Sequence, residues 1–223
     1  MTTTHNPSPP ASLINLTRRA LPKLGIVTGV ALGGWSSHRS VLAQGSTPEV
    51  DLDQLLPATP VIEDDDEPTL EETEGPYFTT DSPERTDLRE EGVVGTNLTV
   101  AGFVVGLDGA PIPSALVDFW QADGDGVYDN EGYRLRGHQF TDEEGRFILE
   151  TVTPGLYPGR TRHVHVKVQA PDQDVLTTQL YFPDEPSNAE DNIYDESLLL
   201  DIQPEKLDDG SEVGLFTFVL ELS

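Results

Sequence analysis

Short apolar segments separated by turn-forming residues fill the chain from Thr73 onward, and this pattern restricts the fold more than any other feature. The segments of strand length are Leu98–Leu107, Ala115–Gln121, Arg146–Val152, His163–Ala170, Leu176–Phe182, Leu198–Ile202 and Leu215–Leu222. Turn dipeptides lie between them, namely Asp108-Gly109, Glu144-Gly145, Pro154-Gly155 and Asp209-Gly210. No segment keeps a helical period, and only the polar stretch 184–195 is compatible with a helical turn. The pattern predicts an all-β fold, a single β-sandwich of short, mainly antiparallel strands over residues 72–223.

The charge of the chain excludes several classes of function. Lysine and arginine number 13 against 40 aspartates and glutamates, which gives a net charge of −27. A field of this sign repels the phosphate backbone of nucleic acids and an anionic membrane surface. The chain has no cysteine, so disulfides, thiolate metal sites and thiol nucleophiles are also excluded. A metal ion, if the protein uses one, must be bound by His, Tyr, Asp or Glu.

The N-terminal residues are typical of an export signal. The basic residues Arg18, Arg19 and Lys23 precede a short apolar stretch, and Val41-Leu42-Ala43 follows as a cleavage motif. We therefore expect residues 1–43 to be a signal peptide that sends the protein to the periplasm or the extracellular space. The arginine pair resembles the twin-arginine type of signal, although an ordinary secretory signal with a chance pair is the alternative. The apolar stretch is too short and too rich in glycine for stable membrane insertion after processing.

Residues 44–71 separate the predicted signal from the predicted sandwich. They are rich in proline, threonine and acidic residues, with an unbroken acidic run over residues 63–67. Such a composition is typical of a solvated linker. We expect a mostly flexible tether.

One predicted strand shows its two faces clearly. In His163–Val168, three valines alternate with His163, His165 and Lys167. Because successive side chains of a strand point to opposite faces, the valines should face the core and the two histidines should lie side by side. Their Cα atoms are then about 6–7 Å apart, close enough to bind one metal ion. The alternative is a pair of polar residues on a solvent-facing surface.

Short motifs follow one another in a specific order across residues 72–205. In sequence order they are Glu74-Gly75-Pro76-Tyr77, Trp120–Asp123, Gly126-Val127-Tyr128, Arg136-Gly137, Thr141-Asp142, Pro154–Pro158, His163-Val164-His165 and Gln179–Phe182. Each motif alone is weak, but the ordered set resembles the intradiol ring-cleavage dioxygenases, the family of protocatechuate 3,4-dioxygenase and catechol 1,2-dioxygenase. The resemblance covers nearly the whole predicted sandwich.

The resemblance implies a non-haem Fe(III) held by two tyrosines and two histidines, which correspond here to Tyr128, Tyr157, His163 and His165. It implies that Arg160 stabilises negative charge developing on the ring and that Gln179 faces the substrate. Tyr157 is expected to leave the metal when a catechol binds and to help take up a substrate proton. The implied reaction is cleavage of a catechol by O2 between its two hydroxylated carbons, giving a cis,cis-muconate-type diacid.

The chain also departs from the pattern of the well-known intracellular enzymes. The segment between Tyr157 and His163 is shorter, which resembles a compact exported subgroup and leaves the lining of the substrate pocket open. The N-terminal helical domain typical of catechol 1,2-dioxygenases has no counterpart. Tyr77 is either a wall of the pocket or a packing residue, and a homodimer is possible because the family often dimerises.

A second class of function is compatible with part of the sequence. The predicted hairpin over residues 104–117 is common in transthyretin-like and carboxypeptidase-regulatory-like sandwiches, which are non-catalytic binding modules. In such a module Tyr128 would flank a turn, Tyr157 would be a corner tyrosine and Arg160 would offset the acidic surface. His138 would be a surface strand residue, with a third metal ligand as its alternative role. A His-based zinc site would need a further histidine after His165, and none follows.

Overall fold

The computed structural model describes residues 50–56, 58–63 and 67–223. The predicted signal peptide and residues 44–49, 57 and 64–66 of the predicted linker lie outside the described residues. The strands of the described part are β1 Asn97–Gly106, β2 Leu116–Trp120, β3 Arg136–Phe140, β4 Arg146–Val152, β5 His163–Gln169, β6 Leu176–Tyr181, β7 Asp201–Ile202 and β8 Glu212–Leu220. Its helices are α1 Leu52–Leu55 and two 3₁₀ helices, Pro186–Glu190 and Glu196–Leu198. None of these described helices has the length and apolar character needed to span a bilayer.

The strands form two four-stranded sheets, with the orders β4-β1-β8-β7 and β3-β2-β5-β6. Neighbouring strands in the described sheets are antiparallel except β1 and β8, which are parallel. Side chains from both sheets meet in one apolar core, which includes Val100 and Phe218 from the first sheet and Phe119 from the second. The predicted all-β sandwich of mainly antiparallel strands is therefore confirmed.

The alternation on β5 has the predicted result. Val164, Val166 and Val168 are fully buried in the core between the sheets. Since side chains alternate along a strand, His163 and His165 project from the opposite face of the same sheet. That outer face is where the candidate site lies.

Two elements differ from the strand prediction. β3 lies outside the predicted apolar segments, because its sequence Arg-Gly-His-Gln-Phe lacks apolar alternation, although His138 within it is expected on a surface strand. It is held by pairing with β2 and by Gln139, whose side-chain oxygen accepts a hydrogen bond from the Ile148 backbone N–H at 3.1 Å. Of the predicted strand Leu198–Ile202, only the last two residues form a strand, β7. The first residue belongs to the 3₁₀ helix Glu196–Leu198, and pairing with β8 begins at Asp201. The helical turn allowed for residues 184–195 is present at Pro186–Glu190.

Part of the predicted linker packs on the sandwich. α1 begins after Asp51, whose side chain accepts a hydrogen bond from the Asp53 backbone N–H. Leu56 is only 6% exposed. Together with Ile62 it packs on the outer face of the first sheet, against a cluster that includes Phe103. The expectation of a flexible tether is thus wrong for this short stretch, because its leucines cover apolar side chains that β1 and β8 would otherwise leave in water.

Candidate metal centre

Cross-strand pairing brings the candidate residues of the second sheet together. Trp120 on β2 lies opposite His165 on β5, and His165 lies opposite Gln179 on β6. The next outward position of β5, His163, lies opposite Tyr181. Three neighbouring strands therefore present one continuous patch of polar and aromatic side chains on the face away from the core.

Residues 72–78, which we call the strap, cover this patch. The strap is tied to β6 by the Glu72 backbone N–H, which donates to the Thr177 carbonyl at 2.8 Å. Gly75 has a φ of +71° and lies so close to His165 that a Cβ atom would meet its Cε1 at 3.3 Å. Phe78 packs edge-on against Trp120, with ring centroids 4.8 Å apart. The strap explains why histidines on the outer face of a sheet are buried.

Three of the four predicted metal ligands are in contact. The Tyr128 hydroxyl lies 3.3 Å from His163 Nε2, and the Nε2 atoms of His163 and His165 are 3.1 Å apart. His163 Nδ1 donates to the Thr161 carbonyl at 2.6 Å, which leaves the lone pair of Nε2 free to bind a metal. Two nitrogen donors sharing one ion at about 2.1 Å lie about 3 Å apart, so these distances fit a common metal.

The protonation states of these groups also suit a cation. Burial lowers the pKa of His163 to about 4, and burial together with the neighbouring His163 holds the pKa of His165 well below its usual value. Both imidazoles are therefore neutral at pH 7, as metal ligands must be. Burial raises the pKa of Tyr128, so its phenolate needs a neighbouring cation to form in this position.

Tyr157 belongs to the same cluster, but its hydroxyl has a different partner. Its ring meets the ring of Tyr128 edge-on, with centroids 6.0 Å apart. Its hydroxyl lies 2.7 Å from the Tyr77 hydroxyl. Tyr77 in turn stacks on Tyr128 at 4.5 Å. The structure thus places Tyr157 beside the three contacting side chains, with its hydroxyl bonded to Tyr77.

Arg160 is held from two sides at the edge of this cluster. Its Nη2 donates to Gln179 Oε1 at 2.6 Å and to the Tyr181 hydroxyl at 3.3 Å. Its Nε donates to Asp191 Oδ2 at 2.8 Å. Gln179 is fully buried, and its amide donates to the Thr73 carbonyl of the strap at 2.9 Å. Gln179 therefore links Arg160 to the strap.

Sequence reasoning missed two residues of this network. Tyr181 was available from the motif Gln179–Phe182, and the strand period places it on the same face as Gln179. Asp191 gave no local signal, because it is one carboxylate among many in the polar stretch 184–195. Its partner Arg160 lies 31 positions away, and only the folded chain brings the two together.

Two further sequence candidates have structural roles. Arg162 is half-buried, donates to the Pro154 carbonyl and pairs with Glu185 at 3.2 Å. His138 Nδ1 lies 3.1 Å from the Ser82 hydroxyl, and that hydroxyl donates to Asp118. This contact binds the chain before β1 to the outer face of the sheet, away from the His163–His165 pair.

The donor set itself tests which metal the site fits. No cluster of three or more His, Cys, Asp or Glu side chains suited to a metal ion occurs within the described ranges. A metal at this position must therefore use phenolate oxygen beside two imidazoles. Hard anionic oxygen and imidazole nitrogen suit ferric iron, so the residues present fit Fe(III).

The chain also matches known proteins. A family model described as Dioxygenase matches residues 73–221. A hydroxyquinol 1,2-dioxygenase of Rhizobium sp. (strain MTP-10005) is 30% identical over 158 residues, which are 58% of this chain and 53% of the relative. The chain spans about half the length of the curated relatives it matches.

Solved structures extend the likeness to the fold. The dioxygenase domain of a dioxygenase carbohydrate-binding protein fusion from Streptomyces sp. SirexAA-E is 50% identical, with a TM-score of 0.67, covering 70% of this chain and 100% of that one. An intradiol ring-cleavage dioxygenase from Tetranychus urticae is 26% identical, with a TM-score of 0.63, covering 68% and 93%. Because the family model spans the whole sandwich, including every residue of the candidate metal centre, the chain belongs to the intradiol ring-cleavage dioxygenase family.

Proposed function

We propose that this protein is an Fe(III)-dependent enzyme that cleaves a catecholic ring with O2 between the two hydroxylated carbons and releases a cis,cis-muconate-type diacid. The observation that carries the proposal is the contact of Tyr128, His163 and His165 through their donor atoms, in a buried position beside a positioned arginine. The alternative from the sequence is a non-catalytic sandwich module, and the function of such a module does not require buried, neutral metal-binding groups in contact with one another. When bound, ferric iron would supply a Lewis acid for a deprotonated catechol and the redox chemistry that couples oxidation of the ring to reduction of O2.

The tyrosines have different roles in this proposal. Tyr128 has no hydroxyl partner other than His163 within the described part of the chain, and it would remain a ligand throughout. Tyr157 would hold the metal as a phenolate when no catechol is bound, and it would be the base that takes up a proton from the catechol. The proton it takes from the catechol would then lie on its hydroxyl, which bonds to Tyr77 at 2.7 Å.

Arg160 supplies positive charge in a strongly acidic chain. A net charge of −27 disfavours the approach of an anionic catecholate. A guanidinium that is held in place beside the donors offsets this field and stabilises negative charge on the ring as it reacts. Arginine stays protonated, so it does not compete for the metal.

The names of similar proteins suggest an aromatic substrate. Relatives are named for hydroxyquinol, catechol and chlorinated catechol, which share one ring with adjacent hydroxyl groups. We therefore propose single-ring catechols as the substrate class.

The experiment uses residues 44–223, purified and loaded with ferric iron. We expect one iron per chain, a red-brown colour from phenolate-to-iron charge transfer, and O2 uptake on adding catechol. Labelled ¹⁸O2 should place both atoms in a product with the mass of catechol plus O2, which NMR identifies as a diacid. A colourless protein that takes up no O2 would refute the proposal, and an aldehyde product would refute intradiol cleavage.

We also propose that residues 1–43 direct export by the twin-arginine route and that the processed protein forms a homodimer. Both proposals rest on the sequence. Light scattering coupled to size exclusion measures the mass of the processed protein, and a monomer would refute the homodimer.

A further inference from the structure

The carboxylate of Asp191 joins two loops beside the candidate metal centre. Its Oδ2 accepts hydrogen bonds from Arg160 Nε and from the Thr161 backbone N–H, both at 2.8 Å. Its Oδ1 accepts from the Ile193 backbone N–H at 3.1 Å. The side chain is only 3% exposed. Both oxygens of this carboxylate therefore accept hydrogen bonds from groups that the fold holds in place.

The carboxylate is ionised in this position. Burial acts to raise the pKa of Asp191, but hydrogen bonds from two backbone N–H groups and from Arg160 outweigh it and hold the pKa below its usual value. A buried carboxylate paired with a guanidinium is costly to break by removing one partner, because the other charge is left unpaired. Removing either partner is therefore expected to disturb the position of the other.

The guanidinium of Arg160 is fixed in plane as well as in position. Asp191 holds Nε, while Gln179 and Tyr181 hold Nη2. Among the described residues, no hydrogen bond reaches Nη1. Asp191, Gln179 and Tyr181 thus hold the guanidinium along its Nε–Nη2 edge, as expected of a preorganised charge stabiliser.

Other carboxylates compete for this guanidinium. Glu72 of the strap lies within electrostatic range of Arg160, and the chain as a whole carries 40 acidic residues. An arginine side chain freed from Asp191 can rotate toward Glu72. The Nε contact to Asp191 opposes this rotation, together with the Nη2 contacts to Gln179 and Tyr181.

We propose that Asp191 is a positioning residue, which acts through Arg160 by holding the guanidinium beside the candidate metal centre. The proposal rests on the proposed function. It adds a residue that touches neither the donors nor the substrate, and whose removal lowers turnover without removing metal.

The chain offers a matched control. Arg162 and Glu185 form a second arginine–carboxylate pair at 3.2 Å, with Glu185 in the same connection between β6 and β7 as Asp191. The Glu185 side chain is also largely buried, at 14% exposed. Glu185→Gln therefore breaks a similar ion pair of the same loop without touching Arg160.

The activity test compares Asp191→Asn with Glu185→Gln in the iron-loaded protein. The asparagine has one acceptor oxygen in place of two, so it cannot serve Arg160 and Ile193 together. We expect kcat for catechol to fall about 10- to 100-fold in Asp191→Asn, with iron content and visible absorption retained, and to change less than about threefold in Glu185→Gln. A similar fall in both variants would indicate general loosening of the loop and overturn the proposal.

A double-mutant cycle separates action through Arg160 from an independent role. If Asp191 acts through Arg160, adding Asp191→Asn to Arg160→Ala should lower kcat by less than about threefold further. If the fall in kcat of the double variant equals the product of the two single-variant falls, the proposal is overturned. Asp191→Glu, which keeps the charge and both acceptors, should recover at least part of the activity lost in Asp191→Asn, and no recovery would count against positioning.

A measurement on the metal-free protein needs neither iron nor turnover. In wild-type protein labelled with ¹⁵N-arginine, the Nε–H of Arg160 should exchange with solvent more slowly than that of Arg134, which makes no side-chain hydrogen bond within the described residues. Equal exchange would overturn the proposal even if every variant failed to fold. If the iron-loaded wild type does not act on catechols, the proposed function fails, while this measurement still decides whether Asp191 and Gln179 fix the guanidinium.

Discussion

The hydroxyl groups of Tyr77 and Tyr157 lie 2.7 Å apart, so the tyrosine expected to leave the metal has a hydrogen-bond partner in the strap. The Tyr77 ring stacks on Tyr128, which fixes the direction of its hydroxyl. The hydrogen bond to Tyr157 is the main reason why the pKa of Tyr77 is raised. Tyr77 therefore contacts both tyrosines of the candidate centre, Tyr128 through its ring and Tyr157 through its hydroxyl.

Tyr77→Phe should slow turnover without removing iron. The phenylalanine keeps the ring stack on Tyr128 and removes only the partner of the Tyr157 hydroxyl. The loss of one hydrogen bond of about 1 kcal/mol predicts a fall in kcat of about 3- to 10-fold. Tyr133→Phe is the control, because the Tyr133 hydroxyl bonds only to the Thr80 carbonyl among the described residues. Steady-state O2 uptake measures both, and equal rates for the two variants would argue against this role.

His165→Ala and Tyr128→Phe should each lower the iron content and bleach the colour. Each removes a donor that lies within 3.3 Å of His163 Nε2. The fold should persist, because the buried valines of β5 are unchanged. Metal analysis, visible absorption and far-UV circular dichroism on the same preparation check this. His138→Ala, which alters a histidine bonded to Ser82, should keep its iron; a ligand variant with full iron and colour would remove that residue from the centre.

Arg160→Ala should retain iron and colour while kcat falls about 10- to 1000-fold, as expected when one preorganised charge stabiliser is lost. Arg146→Ala is a suitable control, because Arg146 forms surface ion pairs on β4, including one with Asp142 at 2.7 Å. Its folded fraction should turn over catechol at the wild-type rate. Unchanged turnover in Arg160→Ala would indicate that Arg160 only offsets the acidic surface. Loss of iron would indicate that Arg160 holds the loop between Tyr157 and His163 in place.

Leu56→Ala should lower the free energy of unfolding by about 2 kcal/mol. Leu56 is 6% exposed and covers the outer face of the first sheet, and burying a leucine side chain contributes about 1.5–3 kcal/mol. Val61→Ala should have little effect, since Val61 is 80% exposed. Urea unfolding followed by tryptophan fluorescence measures both changes. Equal stability of the two variants would show that the contact of this segment with the sheet adds nothing in solution.

Replacing both Arg18 and Arg19 by lysine should block export in the native host. The twin-arginine route reads the arginine pair and not only positive charge, so the double variant should accumulate in the cytoplasm. Cell fractionation and immunodetection follow its location. Deletion of residues 1–43 should leave a soluble, active protein. Normal export of the lysine variant would instead indicate the general secretory route and metal loading outside the cytoplasm.

Local sequence predicted most of the strands and the placement of two residues of the candidate metal centre, His163 and His165. The alternation in His163–Val168 fixed which side chains face the core and which face outward, because the strand period depends only on backbone geometry. The same reasoning could not find β3, whose sequence lacks alternation, and whose pairing with β2 supplies the hydrogen bonds that hold it. It also could not find that Leu56 packs on the first sheet, because a short leucine-containing stretch between polar residues has no local sign of its partner.

The remainder of the site depends on contacts between residues distant in the chain. The resemblance to a known family named Tyr128, Tyr157 and Arg160, but not what holds them. The bond between Tyr77 and Tyr157 spans 80 positions, and the ion pair between Arg160 and Asp191 spans 31. Sequence alone determined which residue types could bind a metal and where the strand directs them. Only the tertiary structure decided which carboxylate binds Arg160 and which hydroxyl forms a hydrogen bond with the Tyr157 hydroxyl. The reason is that hydrogen bonds depend on distance and direction in space and not on separation along the chain.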